Sequence, residues 1–316
     1  MNVLISEVIW EEGIKELEDN GALVCYEEHL WKDRETLLQK VKQFDALIVR
    51  NQTRVDGELL DANPNLKVIG RLGVGLDNID LKAAKERGVQ VVYARNANAT
   101  SVAEYVMNAI LTANRPLLRA GEDVRSGNWN RKAFTGGELF TKTIGLIGLG
   151  EISHRVARRA KAFGMRVIGY DPYVAEYDHI ISETHVEKVE LLEELLQAAD
   201  FVSLHVPLTP ATKHLISGRE LSMMKQNAYV INTSRGGIVD ERALSDALGA
   251  NRIAGAFLDV LEEEPINPQN PLLQHDNVII TPHIAGLTEE SQVRTSVLVA
   301  KEVRKLLKGE PSLCLV

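Results

Sequence analysis

Residues 143–153 read Thr-Ile-Gly-Leu-Ile-Gly-Leu-Gly-Glu-Ile-Ser, an apolar run that turns at two closely spaced glycines and resumes as a polar, helix-compatible stretch. Gly148 suits a sharp turn, and Gly150 lets the backbone approach a ligand with no Cβ in the way. A helix beginning near Glu151 would aim its unpaired N–H groups and positive dipole end at an anion. Ser153 stands where the usual dinucleotide pattern has its third glycine, a position that asks only for a small side chain. The next apolar run ends at Asp171, 21 residues after Gly150, where a carboxylate can accept hydrogen bonds from ribose hydroxyls. A glycine pair alone occurs in many turns. Strand, turn, helix and distal acid together point to a bound pyrophosphate and ribose.

A second place for anion chemistry lies earlier. The run 46–50, Ala-Leu-Ile-Val-Arg, ends in Arg50 and is followed by the polar Asn51-Gln52-Thr53. Ligands of open α/β sheets bind beyond the carboxyl ends of strands, so Arg50 is expected to face a cleft. The next run leads into Gly73-Val74-Gly75, a turn whose backbone N–H groups suit a carboxylate. The chain carries 36 Lys and Arg against 44 Asp and Glu, a net charge of −8, so local arginines must hold an anionic ligand against the overall field. Arg50 is expected to hold a second anionic group, a phosphate or sulfonate, in a charge-assisted contact worth ~1.5–3 kcal/mol.

The elements that must position these residues alternate along nearly the whole chain. Residues 3–6, 23–26, 46–50, 67–71 and 90–93 read as strands, with helical patterns such as 33–44 and 81–87 between them, the latter closed by Gly88. Residues 98–119 read as one long helix, followed by an irregular stretch at 126–137. A second series has strands at 143–147, 166–170, 201–204, 228–232, 253–257 and 278–280, the six of a full dinucleotide-binding sheet. Residues 262–275, rich in proline and acid, read as a loop. A last helix spans 288–308, with Thr288 as N-cap. The β-α-β rhythm implies two parallel sheets covered by helices, hence two domains with a cleft between them.

With these motifs in view, the sequence resembles the D-isomer-specific 2-hydroxyacid dehydrogenases, most of all their short phosphoglycerate dehydrogenase branch. The likeness runs through nearly the whole chain. It rests on the glycine turn, residues 70–80 (Gly-Arg-Leu-Gly-Val-Gly-Leu-Asp-Asn-Ile-Asp), residues 232–240 (Asn-Thr-Ser-Arg-Gly-Gly-Ile-Val-Asp), Leu258-Asp259-Val260, Glu264-Pro265 and Thr281-Pro282-His283. The resemblance implies a Rossmann cofactor domain at 98–285, a discontinuous flavodoxin-like substrate domain at 1–97 plus 286–316, NAD as cofactor, and a homodimer built by the long helix and the loop after it. It implies catalysis by Arg235, Glu264 and His283. An imidazolium donates the proton when a 2-oxo acid is reduced, a carboxylate favours the charged ring, and a guanidinium forks onto the substrate carboxylate or carbonyl. It places Glu151 and Ile152 at the pyrophosphate with Gly148 and Gly150, and Val206 at the adenine side. Thr233 and Asp259 would face the nicotinamide, and His205, Ser234 and Gly286 would touch the cofactor. Arg50, Arg71, Gly73, Val74 and Gly75 would join Arg235 at the substrate. Glu151, an awkward neighbour for phosphate, is expected to turn its side chain to solvent.

Composition narrows the classes further. The acidic balance argues against nucleic acid as a partner. No apolar run is long enough to span a bilayer, and Met1–Glu7 lacks the features of a secretion signal. The two cysteines, Cys25 and Cys314, read as free thiols of a cytoplasmic protein. No metal is expected, and His29, His154, His179, His185, His214 and His275 read as structural or surface residues. No C-terminal regulatory domain like that of longer relatives is expected after the catalytic histidine. Sulfolactate, glycerate with hydroxypyruvate, and lactate-like acids stay open as substrates. Formate dehydrogenase is disfavoured because that branch pairs its histidine with glutamine. A cofactor-dependent co-repressor is the non-enzymatic alternative.

Overall fold

Parallel strands covered on both faces need apolar side chains at nearly every position, not at alternate ones. The runs in this chain meet that need: Ala46–Val49, Thr143–Ile147, Phe201–Leu204 and Gly255–Leu258 are buried along their whole length. The computed structural model describes all 316 residues and divides them into two units, Met1–Asn98 with Leu287–Val316, and Ala99–Gly286.

In the first unit the order is β1 (Asn2–Ile5), α1 (Glu11–Glu18), β2 (Leu23–Tyr26), α2 (Arg34–Lys40), β3 (Ala46–Val49), α3 (Gly57–Ala62), β4 (Val68–Arg71), α4 (Leu81–Glu86) and β5 (Gln90–Tyr93). The five strands are all parallel, in the order β2-β1-β3-β4-β5, that of a flavodoxin-like sheet. Short acid-capped helices fit the connections: Asp33, Asp56 and Asp80 each accept the third backbone N–H of the helix they open.

The second unit begins with α5 (Ala99–Asn114) and α6 (Leu117–Arg125). The sequence pattern predicts one helix here. The structure breaks it at Arg115-Pro116, because proline supplies no N–H to the ladder and its ring crowds the preceding turn. Then come β6 (Thr143–Ile147), α7 (Glu151–Ala162), β7 (Arg166–Tyr170), α8 (His179–Thr184), β8 (Glu187–Lys188), α9 (Leu192–Ala198), β9 (Phe201–Leu204), α10 (Gly218–Met223), β10 (Tyr229–Asn232), α11 (Glu241–Gly249), β11 (Gly255–Leu258) and β12 (Val278–Ile280). These form one parallel sheet, β12-β11-β10-β9-β6-β7-β8, with the reversal of strand order at β6 that marks a doubly wound dinucleotide fold. Six strands are predicted and seven are found. The extra one, β8, is a two-residue polar edge strand that no apolar run announces.

The chain then returns to the first unit as α12 (Glu289–Leu307), capped by Thr288 as the sequence predicts. It packs on β4 and α1 through two close approaches. A Cβ on Gly70 would lie 2.6 Å from Val303, and one on Gly13 would lie 2.8 Å from Ser296. Val299, Ala300 and Val303 of α12 join Val3, Ile5, Ile48, Val68 and Val92 in one aliphatic core layer.

Candidate active site

The ladder of the second sheet runs in one register through Tyr170, Ile147, Leu204, Asn232, Leu258 and Ile280. The residues that follow these six strand ends are therefore neighbours in a row: Asp171, Gly148, His205, Thr233, Asp259 and Thr281. At a spacing of about 4.8 Å per strand, this row extends roughly 24 Å. Five of its six members are cofactor candidates from the sequence.

At one end lies the glycine turn. Gly148 has φ +88°, and a Cβ there would meet the His205 carbonyl oxygen at 2.5 Å, so both conformation and space require glycine. Gly150 differs: its φ is −84°, and no atom lies within 4 Å of where a Cβ would sit. Nothing in the protein's packing calls for glycine there, whereas a phosphate at the start of α7 does. Asp171 is tied to the same turn, accepting from the Leu149 amide at 2.9 Å and from the Tyr173 amide at 2.9 Å. Each oxygen keeps a lone pair for a ribose hydroxyl. Ile152 and Val206 are partly buried, packed against the two core layers of this unit. Glu151 does not turn freely to solvent as expected. It pairs with Arg155 one turn along α7, and both side chains are largely covered.

In the middle of the row two buried polar atoms lack partners, Nδ1 of His205 and Oγ1 of Thr233. The other His205 nitrogen sits 2.9 Å from the Ser203 hydroxyl. Burial pushes the His205 ring down to about 3, so it is neutral and unsuited to proton donation at ordinary pH. Orphaned polar atoms inside a protein are costly, and these two mark where a polar ligand completes the site. Together with the cradle at Gly150, they fit a dinucleotide. Ser234, by contrast, is committed to the protein: its hydroxyl donates to the Leu204 carbonyl, and its amide to Asn232.

The far end of the row holds the His283–Glu264 pair. His283 Nδ1 lies 2.8 Å from Glu264 Oε2, and the other oxygen of Glu264 accepts from the Leu261 amide at 3.0 Å. The carboxylate is held at both oxygens, and the ring's Nε2 is left as the atom that can exchange a proton. Burial alone would push the Glu264 carboxyl up. The His283 hydrogen bond, the Leu261 amide and the charges of His283 and Arg235 outweigh it and hold the group below its ordinary value. The carboxylate therefore stays ionised to lower pH than an ordinary glutamate, and the pairing is lost at correspondingly lower pH.

His283 has φ +56°, a left-handed backbone that a side chain rarely adopts. Asp259 accounts for it. This acid is buried, and its carboxylate accepts from Thr281 Oγ1 at 2.6 Å, the Ile284 amide at 2.8 Å and the Ala285 amide at 2.7 Å. Its own carbonyl takes the His283 amide at 2.9 Å. Asp259 is expected from the sequence to face the cofactor; the structure spends its carboxylate on the turn that presents His283. Tyr105 of α5 donates to Thr281, whose one proton goes to Asp259. Neither Tyr105 nor this use of Thr281 is legible in the sequence. Asn232 organises the neighbouring turn by donating to the Arg235 carbonyl at 2.9 Å and accepting the Ser234 amide. Gly286 follows the His283 turn and is the last residue of this unit.

The remaining substrate candidates sit on the first unit. Arg50 follows Val49, which is in register with Arg71, itself in register with Tyr93. Buried Glu7 gathers the amides of Arg50, Asn51, Gln52 and Thr53 on its two oxygens at 2.8–3.2 Å and so fixes the loop. The Arg50 guanidinium bonds to Gln292 and lies 5.9 Å from the centre of the Trp10 ring. Burial pushes it down from its ordinary value against the pull of Glu7. Arg71 bonds to the Leu72 carbonyl. Gly73 donates its amide to the Arg71 carbonyl at 2.9 Å, so that N–H is not offered to a carboxylate as the sequence suggests, while Val74 next to it is exposed.

Residues 107–285 match the family model described as D-isomer specific 2-hydroxyacid dehydrogenase, NAD binding domain. A D-3-phosphoglycerate dehydrogenase of Methanocaldococcus jannaschii is 46% identical over 98% of this chain, which spans 58% of that relative's length. An (S)-sulfolactate dehydrogenase of Chromohalobacter salexigens is 45% identical over 97% of this chain and 98% of its own. A crystal structure of a Thermus thermophilus protein superposes over all of both chains with a TM-score of 0.90 at 33% identity. With the family model matched over more than half of its length and such relatives along nearly all of it, the chain belongs to the D-isomer specific 2-hydroxyacid dehydrogenase family.

Proposed function

We propose that this chain is an NAD-dependent dehydrogenase acting at C2 of a small 2-hydroxy acid that carries a second anionic group, such as 3-phosphoglycerate or sulfolactate. The observation that carries the reading is the His283–Glu264 pair, held at one end of a row of strand-end residues whose other end is the glycine turn with Asp171. When bound, the nicotinamide supplies or accepts the hydride. The chain's part is to hold that group and the acid. Gly148, Gly150 and Asp171 take the pyrophosphate and ribose, and His205 and Thr233 offer their buried polar atoms. Arg235 grips the carboxylate or carbonyl. Protonated His283 gives a proton from Nε2 as the carbonyl is reduced and takes it back in the oxidation. Names of relatives support two dianionic candidates, and Arg50 supports the class.

Asp171 favours NAD(H), since a 2′-phosphate beside its carboxylate would be repelled and Pro172-Tyr173 supplies no compensating cation. A screen of NADH and NADPH oxidation across 2-oxo acids differing at C3 is expected to show the highest kcat/KM with NADH and a 3-phospho or 3-sulfo acid. Absence of turnover on every 2-oxo acid would refute the enzymatic reading.

A homodimer is also proposed. None of the α6 residues is buried, and Leu117, Leu118, Val124, Trp129 and Phe140 are exposed in and after it. An apolar face of this kind is seldom left in water, and a second copy of the chain is its proposed cover. Light scattering is expected to give twice the chain mass, and Leu118→Asp with Trp129→Glu to give one.

Replacing His283 by Ala is expected to lower kcat by roughly 10²–10⁴ while NADH binding is kept, as measured by fluorescence titration. Glu264→Gln keeps a hydrogen-bond acceptor but removes the charge that favours the imidazolium. The reductive pH profile is expected to differ from that of the parent. Superimposable profiles under rate-limiting chemistry would reject the pairing's role.

Arg50→Ala is expected to lower kcat/KM about ten- to a hundred-fold on the dianionic acid and far less on its analogue without the distal anion. An equal loss on both would make Arg50 a general carboxylate or structural residue, and no loss on either would remove it from the site.

A further inference from the structure

Outside the row of strand ends, α7 and α8 bring together three ligand atoms from two helices. A carboxylate oxygen of Glu151 and ring nitrogens of His154 and His179 all lie within 4.8 Å of one another. Glu151 and His154 are three apart on α7 and share a face. His179 opens α8, with Glu183 one turn further on. The His154 and His179 rings are 5.3 Å apart, tilted at 60°. Nε2 of His154 is buried and makes no hydrogen bond, with a Glu183 oxygen at 3.4 Å.

We propose that Glu151, His154 and His179 bind a divalent transition-metal ion such as Zn²⁺, with Glu183 as a reserve ligand. Two imidazoles and a carboxylate suit such an ion far better than Mg²⁺ or Ca²⁺. Tetrahedral bonds of ~2.0–2.2 Å separate ligand atoms by roughly 3.5 Å, so closing the site takes about 1 Å of side-chain rotation, and exposed His179 is free to supply it. The ion also answers the electrostatic difficulty at Glu151. An acid at the start of α7 repels an anion in front of that helix; Arg155 offsets part of the charge, and a cation on the other oxygen offsets the rest. The sequence suggests no metal because its ligands come from two helices with unremarkable spacing. The cluster of His214 with Asp240 and Glu262 is not equivalent: the two acids lie on opposite ring nitrogens and cannot converge on one ion.

Titrating the whole chain with Co²⁺, whose visible absorption reports bound nitrogen and oxygen ligands, tests this, with Zn²⁺ competition as a second reading. One Co²⁺ per chain is expected, displaced by Zn²⁺, with binding weakened about tenfold or more in His179→Gln and in Glu151→Gln and unchanged in His214→Gln. Because His179 is exposed, its variant should fold as the parent does. No saturable Co²⁺ uptake by the unsubstituted chain would overturn the proposal. So would uptake that survives His179→Gln, or that is lost in His214→Gln.

Discussion

The hydrogen-bond ladder of a parallel sheet fixes register, and register fixes which residues emerge side by side at its carboxyl edge. Six strands of the second sheet end on the same rung, and that places Asp171, Gly148, His205, Thr233, Asp259 and Thr281 next to one another although they span more than a hundred residues of sequence. A slip of one residue in any strand would turn its side chains to the other face and move its member of the row by a full residue. The apolar character of these strands on both faces is therefore part of the site. Buried Val230, Ile231, Ala256 and Leu258 hold the rungs in place.

The next constraint is that a carboxylate withdrawn from water must be surrounded by donors. Two buried acids meet it by capturing backbone. Asp259 takes a hydroxyl and two amides and so shapes the turn bearing His283; Glu7 takes four amides and so shapes the loop bearing Arg50. An apolar substitute would leave two amides without their acceptor at Asp259 and four at Glu7, so each loop is held in one arrangement. The His283 side chain itself is half exposed. It stands on a turn whose geometry is fixed from beneath.

This division explains what was legible in the sequence. The β-α-β alternation, the glycine turn, the acid after the second strand of the Rossmann sheet and the N-cap of the last helix all depend on local residue types, and each was readable. Positions set by tertiary need were not. Apolar spacing continues through Pro116 and hides the helix break there, and the edge strand Glu187–Lys188 has no apolar signal at all. Asp259 could be read as a polar residue at a strand end, but sequence does not tell whether such a carboxylate faces a ligand or the turn beneath it. Glu151 shows the same limit, since its partner Arg155 lies one turn away and the choice between pairing and solvent is made by packing.

The His283–Glu264 pair shows why geometry outweighs ion-pair strength here. Its side chains remain 51% and 40% exposed, and a pair so open to water adds at most ~1 kcal/mol to folding. Nor is its backbone comfortable, with His283 in the left-handed region. Folding alone offers little reason for such an arrangement. It becomes intelligible when the carboxylate is seen as fixing a direction. With Glu264 anchored by the Leu261 amide and Nδ1 engaged, the ring can rotate little, and Nε2 is held at a defined place. The strain at His283 is sustained by Asp259, which is buried, while the side chains of His283 and Glu264 stay half exposed.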